Sequence, residues 1–175
     1  MDGTDMMVQR TQLDGVLLIK LDAFEDHRGW YVETYNEKLY REHGITVKFV
    51  QDDISVSTKH VLRGIHGDAE TWKLISCFYG KFYLVVVNRD EGSPQFGKWQ
   101  SFVLSDQNRL QVLVPPKFGN GHLVLSELAI FHYKQSSYYN REAQFTLLWN
   151  DPKLNIWWPM KNPILSRRDE GSQND

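Results

Sequence analysis

Short apolar runs of strand length, each closed by turn-forming residues, recur along the whole chain, and this punctuation most limits what it can fold into. GVLLIKL (15–21), GWYVETY (29–35), FVQDDISVS (49–57), TWKLISCFY (71–79), KFYLVVVN (81–88), WQSFVLS (99–105), LQVLVP (110–115), HLVLSE (122–127), AIFHYKQ (129–135) and FTLLWN (145–150) all read as strands. YGK (79–81), RDEGSP (89–94), SDQN (105–108), PPKFGNG (115–121) and NDP (150–152) supply the turns between them. Nothing alternates with long helical periods, which disfavours a parallel α/β sheet. One short surface helix is predicted, from Asn36 as N-cap to Gly44, with Glu37 four residues before Arg41. The predicted fold is all-β: an antiparallel jelly roll, a β-sandwich or barrel with a few short helices, whose two curved sheets leave a pocket between them.

With 175 residues, the chain makes one domain with a sizeable core, 1–175. Residues 1–14 read as an N-terminal extension and 170–175 as a disordered tail. Aromatic residues reach 13%, which suits strands and planar ligands. A formal net charge of −2 lacks the basic footprint of a general nucleic-acid binder. The start, MDGTDMMVQR, carries no signal-like apolar run, and no segment is long enough to span a bilayer, so the expected location is cytoplasmic with no membrane partner. The single cysteine, Cys77, sits in the apolar run LISCFYG and reads as a small core residue.

The stretch VLRGIHGDAETWKLIS (61–76) breaks the apolar rule by placing Arg63, His66, Asp68 and Lys73 in strand-like surroundings. Side chains alternate faces along a strand, so Tyr133 points inward if Phe131 does, and Lys73 points inward if Trp72 packs outside, or the reverse. Arg63 and His66 are three apart and fall on opposite faces of a regular strand; Gly64 between them predicts a bulge or bend. Each residue alone has an ordinary structural explanation. Together, a histidine base, a tyrosine acid and a lysine that stabilises developing negative charge suit proton abstraction beside a carbonyl. A carboxylate is wanted behind the imidazole, and Asp68, Asp169 and Glu142 are all candidates.

These residues stand in a chain that resembles the dTDP-4-dehydrorhamnose 3,5-epimerase family, cupin-type sugar nucleotide epimerases, from about Leu17 to Asp169. DHRGWYVETY, FVQDDISVS, VLRGIHG, KLIS, SPQFGKW, LSDQNRLQVLVPP, FHYKQSSYY, LLWNDP, IWWP and LSRRD carry the likeness in order. The resemblance implies a cupin-type jelly roll, with His66 as base, Asp169 as its partner, Tyr133 as general acid on the opposite side of the sugar, and Lys73 at the C4 oxygen. It places Arg63 at the diphosphate, Gln51 in FVQDD on the nucleotide side, and Arg28 at the ligand of a neighbouring subunit; Asp53 in the same stretch is a further substrate-binding candidate. It further implies a metal-independent homodimer with no cofactor, acting on an NDP-4-keto sugar.

Two stretches depart from the family pattern. FGNGHLVL puts Asn120 where the family usually has a histidine, with His122 two places on. Gly67 and Asp68 follow the base where an aromatic residue and glutamine are usual; the smaller residue enlarges the expected sugar pocket, and Asp68 becomes a candidate for substrate selection. This variant resembles a subgroup acting on GDP-linked 4-keto-6-deoxy sugars, heptoses included, for capsule, O-antigen and lipopolysaccharide, so GDP is favoured over dTDP and inversion at C3 alone stands beside inversion at C3 and C5. Tyr138 is a further candidate sugar contact. Trp157 and Trp158 before Pro159 read as a hydrophobic anchor. Competing readings are a metal-dependent cupin oxygenase or isomerase, for which the chain has no H-x-H pair, a non-catalytic sugar nucleotide binder, and a 3,4-ketoisomerase of similar fold.

Overall fold

The structure, a computed structural model, describes residues 5–171. Its strands are β1 (Met6–Arg10), β2 (Leu17–Leu21), β3 (Ala23–Asp26), β4 (Gly29–Val32), β5 (Gln51–Thr58), β6 (Leu62–Gly67), β7 (Lys73–Tyr79), β8 (Lys81–Asn88), β9 (Trp99–Ser105), β10 (Leu110–Val114), β11 (Phe118–Val124), β12 (Leu128–Gln135) and β13 (Phe145–Thr146), with helix α1 (Glu37–Glu42) between β4 and β5. A six-stranded sheet in the order β1-β2-β10-β7-β12-β5 faces a five-stranded sheet, β13-β6-β11-β8-β9, and β3-β4 form a separate hairpin. Every ladder within these sheets is antiparallel, and the jelly roll expected from the turn punctuation is what forms.

Three apolar layers hold the sandwich. Between the sheets lie Ile75, Phe82, Leu84, Val86, Leu104, Val112 and Phe131. Tyr40 and Ile45 join Ile19, Leu74 and Leu113 in a second cluster, against which Trp72 packs. Tyr83, Val85, Val87 and Trp158 form the third, under the C-terminal segment that carries Leu154, Ile156 and Leu165. Trp158 is the anchor of that segment, donating its indole N–H to Trp149 O at 2.8 Å, whereas Trp157 is exposed. This layer matters for the site, because the same segment leads on to Asp169.

The sequence-based boundaries differ from the structure at several places. Met6–Arg10 pair residue by residue with β2, and Leu13 is buried in the central core, so most of 1–14 belongs to the domain; residues 1–4 lie outside the described residues, as do 172–175 of the expected tail. GWYVETY is strand only as far as Val32, and FTLLWN only at Phe145–Thr146. The helix has its Asn36 N-cap, whose side chain accepts from Leu39 N, and it buries Tyr40, with Leu39 packed against the same cluster. Cys77 is a core residue, its thiol pushed up to about 12 by burial.

Gly67 is fixed by packing. A Cβ there would lie 2.3 Å from Phe118 O and 2.6 Å from the Phe145 ring. Gly67→Ala should therefore cost about 1–3 kcal/mol of stability, read as a lowered urea midpoint with unchanged slope.

Candidate active site

A cavity of about 680 Å³ opens between the sheets. One wall comes from β6 and β11 of the five-stranded sheet and carries Arg63, His66, Asn120 and His122; the other comes from β5, β7 and β12 and carries Gln51, Asp53, Lys73, Tyr133 and Gln135.

The bulge expected at Gly64 is present, and it makes the first wall. Asn120 pairs with His66 and His122 with Arg63, so two residues of β11 span three of β6. Asn120 and His122 share a face of β11, which is regular against β8, and the extra residue returns Arg63 and His66 to one face. Only glycine fits at the irregularity: Gly64 has φ +114°, and a Cβ would lie 2.7 Å from both Asn120 O and Gly121 Cα.

His66 Nε2 lies 2.6 Å from Asp169 Oδ1, and Asp169 Oδ2 accepts from Gly64 N at 3.2 Å. The bulge thus supplies a donor to the same carboxylate that holds the imidazole. Burial raises the Asp169 pKa, but hydrogen bonds from His66, Gly64 and Ser166 outweigh it and hold the carboxyl below its ordinary value. Of the three carboxylates considered, Asp169 is the one on His66. Glu142 is exposed, and Asp68 does other work.

Across the cavity, Tyr133 sits directly opposite Asp53 on β5, inward with Phe131 as parity required. Its phenol is pushed up to about 12 by burial, with the charges of Asp53 and Tyr139 adding to it. Lys73 points inward and lies 5.8 Å from the centroid of the Tyr133 ring, while Trp72 packs on the outer cluster. Burial lowers the Lys73 pKa, opposed by the charge of Asp68. Lys73→Met should accordingly stabilise the fold by about 0.5–2 kcal/mol. Because the folded pKa is depressed, the unfolded chain binds the proton more tightly, and wild-type stability rises with pH up to the ordinary lysine range near about 10.4. The gain in the variant is therefore greatest at neutral pH and fades in alkali, which melting curves against pH will show.

Asp53 Oδ2 accepts from Gln51 Nε2 at 2.7 Å and from Gln135 Nε2 at 2.6 Å, and Gln51 Oε1 accepts from Tyr139 N at 3.0 Å. Arg63 Nε donates to Ser57 Oγ at 2.9 Å. Arg168, beside Asp169 in LSRRD, also lines the cavity, with Nε donating to Thr146 Oγ1 at 3.1 Å.

Two expected site residues, Asp68 and Tyr138, fall outside the cavity. Asp68 does not line the cavity; its Oδ1 accepts from Glu70 N and Thr71 N and its Oδ2 from Gln144 Nε2, so it shapes the loop that leads to Lys73. Tyr138 is 77% exposed and turns away, and the neighbouring Tyr139 lines the cavity instead. Arg28 is in the β3-β4 turn, exposed and bound to Asp26, outside the cavity of its own chain. Gly67 faces Phe118 and Phe145, so its small size does not enlarge the pocket. Tyr139 is the pocket-edge residue of the Tyr138–Tyr139 pair, while Gln135 and Arg168 fall outside the expected set; parity with Tyr133 in AIFHYKQ points to Gln135, whereas nothing in the sequence singles out Arg168.

A family model described as dTDP-4-dehydrorhamnose 3,5-epimerase matches residues 10–174. The chain belongs to this family. A dTDP-4-dehydrorhamnose 3,5-epimerase of Shigella flexneri is 40% identical over 172 residues, which cover 96% of this chain and 95% of the relative. Among solved structures, the dTDP-6-deoxy-D-glucose-3,5-epimerase of Legionella pneumophila in complex with dTDP-4-keto-L-rhamnose superposes with a TM-score of 0.90 at 39% identity, covering 95% of this chain and 90% of that one. A 3'-monoepimerase of Streptomyces bikiniensis in complex with dTDP-quinovose gives a TM-score of 0.87 at 29% identity over 92% of this chain and 84% of that one. The jelly roll is thus of the cupin type, and the chain is a sugar nucleotide epimerase, an isomerase. No helix among the described residues is long and apolar enough to cross a membrane, and no three His, Cys, Asp or Glu side chains among them gather as a metal-holding group.

Proposed function

We propose that the protein inverts C3 and C5 of an NDP-4-keto-6-deoxy sugar by proton transfer through an enolate, and that a dTDP-linked substrate is the preferred one. The observation that carries this reading is the pair of proton-handling groups on facing walls, His66 on Asp169 and Tyr133 beside Lys73. A ketone at C4 acidifies the hydrogens at C3 and C5. His66 takes one of them, and Asp169 orients the imidazole and stabilises the charge it gains. Lys73 receives the C4 oxygen as it becomes an enolate oxygen. Tyr133, protonated at neutral pH, returns a proton from the other face. Inversion needs two groups on opposite sides of the ring, and the sandwich supplies them from opposite sheets.

Arg63 and Arg168 at the cavity rim are the cations for the diphosphate, with Gln51 and Asp53 towards the nucleotide. The sequence-based lean to GDP and heptose rests on the GIHGD and TWKL stretches and the short loop between them; of these, Gly67 and Asp68 do not line the cavity, and the relatives are named for dTDP sugars. The 3'-monoepimerase of the same fold keeps inversion at C3 alone as the second reading. A homodimer fits the exposed Phe24, Trp30 and Tyr31 on the β3-β4 hairpin and the exposed Ile54 and Val56 on β5, and it gives Arg28 a route to a partner's cavity; sedimentation equilibrium tests it. The deciding experiment is proton NMR in D₂O with dTDP- and GDP-linked 4-keto-6-deoxy sugars. Deuterium entering at C3 and C5 of the dTDP sugar is expected; entry at C3 alone makes the protein a 3-epimerase, and no entry with any of them overturns the reading.

A further inference from the structure

The inner part of the first wall holds two polar atoms that the chain itself does not satisfy. His122 is 3% exposed, and its Nε2 is buried with no hydrogen-bond partner; Asn120 Oδ1 is in the same condition. Both side chains line the cavity. The His122 ring is held firmly, stacked on Phe131 at a centroid distance of 4.0 Å and an interplanar angle of 8°, with Phe82 at 5.2 Å. Burial, and the charge of Arg63 after it, lowers the His122 pKa to about 3, so the imidazole is neutral at working pH and carries one donor and one acceptor. Buried polar atoms without partners are rare in folded proteins, and at the lining of a cavity they point to a ligand group.

The register says which group. Arg63 stands opposite His122 and His66 opposite Asn120, so the wall reads, along β6, from the diphosphate cation to the base. A sugar bound with its C1 phosphate at Arg63 and its reacting carbons at His66 lays one of two edges over His122: the ring-oxygen edge, which has no donor, or the C2 edge, which has a hydroxyl. Only the C2 edge offers a donor to the unpaired Asn120 amide oxygen, and its hydroxyl can meet His122 Nε2 in either tautomer, accepting from it or donating to it.

We propose that His122, with Asn120 beside it, is a specificity subsite that reads the C2 hydroxyl of the sugar, so that the protein selects 2-hydroxy over 2-deoxy sugar nucleotides. This rests on the epimerase reading for the direction in which the sugar lies. A site built to bond a substrate hydroxyl rejects the analogue lacking it, because its own polar groups are then left unpaired.

The test is calorimetric binding of a matched pair, an NDP-hexose and its 2-deoxy counterpart, to wild type and to His122→Phe, which keeps the stacked ring and removes the nitrogens, and to His122→Gln, which restores a polar group. Wild type should bind the 2-hydroxy ligand at least about tenfold more tightly, about 1.4 kcal/mol, with the ratio collapsing towards one in His122→Phe and recovering in part in His122→Gln. Equal affinities in wild type, or a ratio that survives His122→Phe, overturns the proposal. Deuterium exchange run in parallel on wild type separates the two readings: a preserved affinity ratio without exchange strikes the epimerase reading and leaves the subsite standing.

Discussion

His66→Ala should cut deuterium entry at C3 and C5 by about 10²–10⁴-fold, the range ordinarily lost with a positioned base, while the protein still folds. The fold survives because the imidazole is half-buried at a cavity and holds no part of the three apolar layers. Asp169 is the neighbour that feels the loss. Its carboxylate is buried, and burial alone would raise its pKa; the bond from His66 is the largest of the effects that hold it down. Removing that bond leaves Gly64 N and Ser166 as donors, at a cost of about 1–3 kcal/mol for the weakened pairing. The contribution has a defined pH range: with a folded pKa below the unfolded value of about 3.9, it is complete above that pH and is lost as pH falls through the folded pKa. The alanine variant should therefore be destabilised at neutral pH and differ less from wild type in strong acid. His66→Gln separates the two roles, since its amide can donate to Asp169 but cannot take a proton from carbon. It should recover stability and not exchange. Exchange within tenfold of wild type in His66→Ala would mean that another group is the base.

How far such a site can be seen in a sequence is decided by what local rules control. Strand parity is local, and it places Tyr133 with Phe131 and predicts the irregularity at Gly64 that the structure contains. The choice of Asp169 over Asp68 and Glu142 is not local: Asp169 reaches His66 from 103 residues away because Trp158 and the residues around it pin the C-terminal segment to the outer face of the five-stranded sheet. For the bare residue pattern the three carboxylates are equivalent, and the resemblance to the family supplied the choice. Asp68 and Tyr138 misled for a related reason. Asp68 follows the base in sequence, but two backbone N–H groups and Gln144 take up its oxygens. Tyr138 precedes Tyr139 in a loop with no strand periodicity, so adjacency to the site does not tell which ring turns in. The edge strand β1 was missed because MMVQR is short and its apolar residues gain meaning only once β2 is beside them.

Tyr133→Phe should uncouple proton exchange from inversion. The variant keeps the ring that packs against Phe131 at 5.5 Å and that Lys73 overhangs, and removes only the hydroxyl, so the cavity wall and the stability should change little. What is lost is the proton source. With a pKa of about 12, raised by burial and by the charges of Asp53 and Tyr139, the phenol is protonated throughout the neutral range and is the group on the β12 wall fitted to give a proton to an enolate carbon. His66 and Lys73 remain, so the enolate still forms, and the proton that His66 removed is exchanged with solvent and returned to the face it left. Deuterium should then enter at C3 without a change of configuration there, and the inverted product should fall by about 10²–10⁴-fold. The two quantities come from one experiment, since NMR reads both the isotope and the coupling constants that report configuration. A simple loss of binding would lower exchange and inversion together; loss of the acid lowers inversion and spares exchange. Inversion that persists within tenfold of wild type would transfer the role to the next phenol on the same cavity, Tyr139, whose backbone is tied to Gln51, and the double variant would then be the one to lose it.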